Sequence, residues 1–136
     1  MLVKNEMTKN IEFVNPKTSL KEAAEKMKNL DIGVLPICEN DLLLGILTDR
    51  DITIRSTAFG KDPNTTSVEE IMTPGVEWCF EDDNVEEVAT KMERKKIRRL
   101  PVINRDKKLV GILSIGDLVT RGSRNVACEV LEKVSK

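Results

Sequence analysis

Apolar residues recur at helical spacing in two stretches of the chain. The first stretch contains Leu20, Ala23, Ala24 and Met27. The second contains Val85, Val88, Ala89 and Met92. Positions i, i+3, i+4 and i+7 lie on one face of an α-helix, so each stretch predicts an amphipathic helix. Ser19-x-x-Glu22 and Asn84-x-x-Glu87, at the start of these stretches, are typical of a capped helix N-terminus.

Two short apolar runs separated by a polar turn follow each predicted helix. The runs are Val34–Cys38 with Leu42–Leu47 in the first half, and Leu100–Ile103 with Leu109–Leu113 in the second. Apolar runs of this length between turn residues predict the two strands of a hairpin. The first run of each pair contains a proline, Pro36 or Pro101, which has no N–H group. We therefore expect these prolines at a strand start or on a sheet edge.

The two halves of the chain repeat each other at an offset of about 65 residues, beginning with Met7-Thr8 and Met72-Thr73. After one extra residue in the second turn, Gly45-Ile-Leu-Thr48-x-x-Asp51 corresponds to Gly111-Ile-Leu-Ser114-x-x-Asp117. Each half is predicted to have the order β-α-β-β-α. The remaining predicted elements are extended pieces at Ile11–Val14 and Val76–Phe80, and helices that begin near Asp51 and near Asp117.

This duplication predicts an α+β fold. Each half has one apolar side that it cannot cover alone, so we expect two pseudo-twofold-related repeats packed through their small sheets. The predicted divisions are residues 1–56 for the first repeat, 57–66 for a linker rich in turn formers, 67–122 for the second repeat and 123–136 for a C-terminal helical tail. Together they make one module.

Charge and residue types exclude several classes of protein. The 136 residues include 22 Lys and Arg against 23 Asp and Glu, which is not the basic excess of a nucleic-acid binder. The absence of histidine excludes Ser-His-Asp and Cys-His catalysis and most zinc sites. Cys38, Cys79 and Cys128 are scattered, so we expect buried thiols in a reducing compartment. With no signal-like segment and no membrane-length apolar run, we expect a cytoplasmic protein without membrane contact.

The two Gly-Ile-Leu motifs contain the residues that suggest a ligand. In each, an apolar strand ends at a hydroxyl residue, Thr48 or Ser114, and an Asp follows three residues later near a helix start. A helix N-terminus suits a phosphate, and a carboxylate can accept both hydroxyls of a ribose. The alternative is that Asp51 and Asp117 belong to ordinary helix N-caps. From the residues alone, both interpretations stay open.

The ordered set of motifs, found twice, resembles the CBS domain pair, or Bateman module, named after the domain in cystathionine β-synthase. The resemblance covers nearly the whole chain. In that family the cleft between the repeats holds up to two nucleotides, commonly AMP, ADP or ATP, with S-adenosylmethionine or NAD in other members. The resemblance implies a regulatory module that binds an adenine nucleotide, forms a homodimer and acts on a separate protein whose identity is unknown.

The resemblance also assigns roles to individual residues. Asp51 and Asp117 would hold ribose hydroxyls, and Thr48 and Ser114 would contact phosphate or ribose. The other implied ligand-binding residues are Gly33, Val34, Leu35, Pro36 and Arg50 in the first half, and Arg98, Arg99, Leu100 and Pro101 in the second.

The arginines make the two halves different. Arg50, Arg98 and Arg99 have no basic counterparts in the other half, and guanidinium groups in a shared cleft would favour a polyphosphate. The alternative is that the basic run from Lys91 to Arg99 is a solvated helix end.

The leading interpretation has one main competitor, a ligand-free scaffold for dimerisation or protein interaction. An enzyme is not expected, because Asp49 and Asp51 have no accompanying nucleophile, metal cluster or catalytic cofactor.

Overall fold

The chain divides in space into two units, and one of them joins segments that are distant in sequence. The computed structural model describes residues 1–116 and 118. One unit consists of Glu12–Val76, and the other combines Met1–Ile11 with the residues from Glu77 onward. The repeat boundaries at residues 56 and 67 divide the sequence differently and stay predictions.

The unit formed by Glu12–Val76 contains a three-stranded antiparallel sheet and one long helix. Its elements are helix α1 (Leu20–Leu30), strands β1 (Val34–Glu39) and β2 (Leu42–Thr48), the short helix α2 (Asp49–Asp51) and strand β3 (Thr73–Pro74). The helical path of α2 continues through a π-helical segment, Ile52–Ser56, and a 3-10 turn, Thr57–Phe59. The sheet order is β1-β2-β3, so β2 is the central strand.

The other unit contains a second three-stranded sheet. Its elements are strand β4 (Cys79–Phe80), helix α3 (Val85–Lys95) and strands β5 (Arg99–Ile103) and β6 (Leu109–Ser114), together with a 3-10 turn at Val3–Asn5. The order is β4-β5-β6, with β4 parallel to β5 and β6 antiparallel to it. These helices and sheets confirm the predicted α+β class. The predicted tail at 123–136 lies outside the described residues.

Both predicted amphipathic helices are present, and a side chain caps each of them. The Ser19 hydroxyl accepts a hydrogen bond from the Glu22 N–H, and the Asn84 carbonyl oxygen accepts from the N–H groups of Glu86 and Glu87. All four predicted apolar positions of α3 are buried. In α1 the prediction is wrong for Ala24, which is exposed; the buried residues of this helix are Leu20, Ala23 and Met27.

The two prolines differ in their positions within the sheets. Pro36 lies inside β1, whose outer side is bridged only by Val14; the Val14 N–H donates to the Pro36 carbonyl at 3.1 Å. Pro101 lies inside β5, the central strand of its sheet, so the predicted edge position is wrong for it. The sheet tolerates Pro101 because β4 is only two residues long and pairs with Val102 and Ile103, beyond the proline.

A Met-Thr segment packs against the glycine of the Gly-Ile-Leu strand in each unit. Thr73 pairs with Ile46 of β2, and Thr8 exchanges backbone hydrogen bonds of 2.8 and 3.1 Å with Ile112 of β6. A Cβ added at Gly45 would lie 2.7 Å from the Thr73 carbonyl oxygen. A Cβ added at Gly111 would lie 2.6 Å from the Met7 sulfur. The glycines of this motif are therefore explained by close packing.

Two buried cores underlie this arrangement, one in each unit. The first core centres on Leu20, Leu35, Ile37, Leu47 and Val68. The second centres on Val3, Met92, Leu100, Val102 and Leu113. In each core the valine four residues before the methionine of the Met-Thr segment, Val68 or Val3, is fully buried. The chain that leads into this segment is therefore a structural part of the unit.

The helices of residues 1–116 and 118 include none with the length and apolar character of a membrane span.

Gly45→Ala and Gly111→Ala are expected to lower the free energy of unfolding by about 1–3 kcal/mol each, because the added methyl group overpacks a close backbone contact. Urea denaturation measures the change. Gly116→Ala is the control, since a Cβ there would lie 3.5 Å from the nearest atom, the Ser114 hydroxyl, which is an ordinary contact distance. Equal stability of the Gly111 and Gly116 variants would contradict the packing argument.

Cys38 and Cys79 are buried in the two units, as the sequence predicts, and Cys128 lies outside the described residues. Burial, assisted by the charge of Asp41, raises the pKa of the Cys38 thiol to about 11. Burial, assisted by Asp83, raises the pKa of the Cys79 thiol to about 12. Both thiols therefore stay protonated and unreactive at neutral pH.

In a Cys128→Ser variant, we expect a thiol-exchange reagent at neutral pH to modify Cys38 and Cys79 only as fast as the chain unfolds. Adding urea above the unfolding midpoint is expected to release both thiols at once. Rapid modification of either cysteine in the native protein would show that the thiol is accessible and ionised.

Candidate functional site

The Thr48–Asp51 motif forms a reciprocal capping box where β2 passes into α2. The Thr48 hydroxyl accepts a hydrogen bond of 3.0 Å from the Asp51 N–H. The Asp51 Oδ2 atom accepts one of 3.0 Å from the Thr48 N–H. Asp51 is 8% exposed, so its carboxylate is held in a nearly buried position by the backbone next to it. The capping role considered for Asp51 is thus present, and it fixes the direction of the carboxylate.

Arg55 joins this group and is not among the residues predicted from the sequence. Its Nε atom lies 3.8 Å from Asp51 Oδ1, and its Nη1 atom lies 3.4 Å from both the Ile71 carbonyl oxygen and the Thr73 hydroxyl. The i, i+4 spacing of Asp51 and Arg55 is the signal that could have revealed the pair. A carboxylate, a guanidinium and two hydroxyl groups therefore meet at one end of the sheet.

The predicted base-pocket residues of the first half begin at the same end of the sheet. Val34 is the register partner of Thr48, and the Asp49 N–H donates to the Gly33 carbonyl at 3.0 Å. A Cβ added at Gly33 would lie 2.9 Å from the Asp49 carboxylate, so a glycine is needed there. Farther along β1, Leu35 and Pro36 are buried.

The second half repeats this local geometry. Arg99 is the register partner of Ser114, and the Ile115 N–H donates to the Arg98 carbonyl at 3.2 Å. Leu100 and Pro101 follow along β5 and are buried. Asp117, the predicted ribose ligand of this half, lies outside the described residues. The assignment of either set of residues to a nucleotide stays a prediction.

The predicted phosphate-binding arginines are on the surface. Arg50, Arg98 and Arg99 are all exposed. By contrast, Lys91 and Lys95 on α3 form ion pairs of 3.2 and 3.1 Å with Glu77, as expected for part of a solvated helix face. Hydrogen bonds from these two lysines hold the pKa of Glu77 below its ordinary value.

The Thr48–Asp51–Arg55 group can bind a polar ligand through hydrogen bonds and charge. Each carboxylate oxygen of Asp51 has a lone pair beyond the contacts already described, so it can accept further hydroxyl donors. The Arg55 guanidinium, whose side chain is 48% exposed, can donate to an anionic group. A nucleophile is not part of the group, because Thr48 has no general base beside it other than the carboxylate that caps its own backbone.

Comparisons with known proteins identify related chains. A family model described as the CBS domain matches twice, at residues 3–56 and 68–123. The CBS domain-containing protein YhcV of Bacillus subtilis is 37% identical over 134 residues, which cover 98% of this chain and 94% of YhcV.

Three solved structures show the same fold. Hypoxic Response Protein I with two coordinated zinc ions has a TM-score of 0.80 and 36% identity, over 88% of this chain and 98% of its own. CBSX2 in complex with AMP has a TM-score of 0.76 and 29% identity, over 91% and 97%. The CBS domain pair of MJ0100, in complex with 5-methylthioadenosine and S-adenosyl-L-methionine, has a TM-score of 0.76 and 33% identity, over 88% and 98%.

Metal-binding side chains are not clustered in the part of this chain that the structure describes. Within residues 1–116 and 118, no three His, Cys, Asp or Glu side chains lie close enough together to hold a metal ion.

The same family is indicated by the motifs, the two α+β units, the two family-model matches and the relatives. The chain therefore belongs to the CBS-domain family and carries two CBS domains.

Proposed function

We propose that this chain is a regulatory module that binds an adenine nucleotide, most simply AMP, ADP or ATP. It forms a homodimer, has no catalytic activity of its own and regulates a separate protein. The main support for this proposal is the Asp51 carboxylate, which is held in one orientation by Thr48 and lies beside Arg55. The AMP complex of CBSX2 and the S-adenosylmethionine complex of the MJ0100 pair support a ligand that contains adenosine.

The ribose is the part of the ligand that Asp51 suits best. Its Oδ2 atom is fixed by the Thr48 N–H at 3.0 Å, so the carboxylate does not need to be ordered when a ligand binds. A fixed acceptor loses little side-chain entropy on binding, which makes the hydrogen bonds to ribose hydroxyls more favourable. A neutral amide has only one acceptor oxygen and would hold two hydroxyls poorly.

The phosphate is matched by the positive groups at the same end of the sheet. Arg55 is anchored to Asp51 and to the Ile71 carbonyl oxygen, and Arg50 is exposed one residue before Asp51. Guanidinium groups form strong charge-assisted hydrogen bonds with phosphate oxygens. Because the second half has Gly116 at the position of Arg50, we expect the two sites to differ in their preference for phosphate number.

A ligand-free scaffold is the second candidate, and one observation favours it. The hydrogen bonds between Thr48 and Asp51 satisfy the capping role completely without a ligand. In that case the same residues would only terminate β2 and begin α2. The two candidates differ in whether removing the charge of Asp51 changes ligand binding or only stability.

Millimolar AMP, ADP, ATP, S-adenosylmethionine and NAD are to be compared by thermal unfolding. One adenine ligand is expected to raise Tm by several degrees, because a ligand at about 100 times its Kd adds about 2.7 kcal/mol to the free energy of unfolding. The Asp51→Asn variant, which keeps an acceptor for the Thr48 N–H, is expected to lose most of this rise. No change in Tm with any of the five ligands would favour the scaffold.

A matched control separates binding from capping. Glu70 lies three residues after Ser67, as Asp51 lies three after Thr48, and its carboxylate accepts from the Ser67 N–H at 2.7 Å and from the Ser67 hydroxyl at 3.1 Å. Glu70→Gln therefore removes a charge from the same position of a cap, and we expect it to keep the full ligand-induced rise in Tm. Equal losses in the Asp51 and Glu70 variants would mean that capping, and not ribose binding, explains the effect.

A further inference from the structure

The turn between β1 and β2 forms a pocket at the opposite end of β2 from Thr48. The pocket has a volume of about 460 Å³. Its polar lining includes three carboxylates, Glu39, Asp41 and Glu69, against one amine, Lys17. Its apolar walls include Phe13 and Leu44, which are 41% and 37% exposed. The pocket is therefore acidic and has apolar sides.

Two of the three carboxylates take part in no ion pair with another described residue. Lys17 forms an ion pair with Glu69, and that hydrogen bond raises the pKa of the Lys17 amine. Glu39 and Asp41 are in no ion pair within residues 1–116 and 118, although Lys17 also attracts Glu39 at longer range. The described part of the pocket thus has more negative than positive charge and an exposed aromatic ring.

The equivalent turn of the other repeat contains the group that this pocket lacks. Arg105 follows Asn104 after β5, as Asn40 follows Glu39 after β1. Its guanidinium donates to both oxygens of Asp82, at 3.1 and 2.8 Å, and stacks 3.8 Å from the centre of the Phe80 ring. At this turn the second repeat therefore has its own guanidinium, which contacts a carboxylate and an aromatic ring.

We propose that the acidic pocket at the β1–β2 turn binds an arginine side chain of a partner polypeptide. The guanidinium would lie against Phe13 and pair with Glu39 and Asp41. This is the chemistry by which Arg105 contacts Phe80 and Asp82, although the first repeat has Asn15 and Lys17 at the positions of Phe80 and Asp82. This surface is separate from the Thr48–Asp51–Arg55 group, so the proposal does not depend on nucleotide binding.

The apolar walls of the pocket favour a polypeptide over free arginine. The guanidinium carries the net charge in both ligands, because the α-ammonium and α-carboxylate of free arginine offset each other. The exposed Phe13 and Leu44 can pack against apolar residues on either side of the arginine. A lysine would supply the charge without the planar group that stacks on a ring and pairs with two oxygens.

The test uses isotope-labelled full-length chain and a capped heptapeptide with one central arginine between leucines. Titration followed by NMR is expected to shift the amide signals of Asn40, Asp41 and Leu44 saturably at millimolar peptide or below. Replacing the arginine by citrulline, which is neutral and nearly isosteric, is expected to weaken binding at least tenfold. Comparable affinity of the citrulline peptide, no saturable binding, or shifts confined to other regions would each overturn the proposal.

A charge-matched pair of variants tests the protein side. The Glu39→Gln/Asp41→Asn double variant is expected to bind the arginine peptide at least tenfold more weakly. The Glu22→Gln/Glu25→Gln double variant removes the same net charge from exposed positions of α1 and is expected to bind normally. If both double variants lost the same affinity for the arginine peptide, binding would depend only on the net charge of the chain, which would contradict a specific pocket. The citrulline comparison uses the unaltered chain, so it decides the question even if a variant folds poorly.

Discussion

The packing of a Met-Thr segment against a strand glycine is the contact on which each unit depends. In one unit, Thr73 pairs with β2 and its carbonyl oxygen leaves no room for a side chain at Gly45. In the other, Thr8 pairs with β6 and Met7 leaves no room at Gly111. The first Met-Thr segment belongs to the unit built around the second hairpin, and the second segment belongs to the unit built around the first. Neither predicted repeat of the sequence therefore contains a whole unit.

The same strands connect this packing to the two binding surfaces. Because β2 is held between β1 and β3, its two ends are fixed in register. At one end Thr48 and Asp51 form the capping box, and Arg55 extends from Asp51 to Thr73 of the Met-Thr segment. At the other end the turn presents Glu39 and Asp41 beside Phe13. Both proposed sites thus depend on the central strand β2. The charged side chains of both sites lie outside this strand.

The sequence predicted the local elements well because their signals are local. The runs Val34–Cys38 and Leu42–Leu47 correspond to β1 and β2 with one residue added at an end of each strand. The pairing of β3 with β2 could not be predicted, because a two-residue strand has no periodicity and its partner is distant in sequence. Ala24 fits the helical spacing but is exposed, whereas Ala89 at the corresponding position of α3 is buried, so the spacing alone does not decide burial. For the site, the motif located Thr48 and Asp51, and the third member, Arg55, required the helix geometry.

We propose that the capping box of Thr48 and Asp51 also serves as a ribose site. The two roles are compatible, because capping occupies one lone pair of Asp51 and leaves the carboxylate oriented and nearly buried. A crystal structure of this chain grown with AMP is the most direct test of this double role. We expect the ribose hydroxyl oxygens to lie within hydrogen-bond distance of the Asp51 carboxylate, with the Thr48 capping bonds intact. AMP bound with its ribose away from Asp51 would contradict the proposed site.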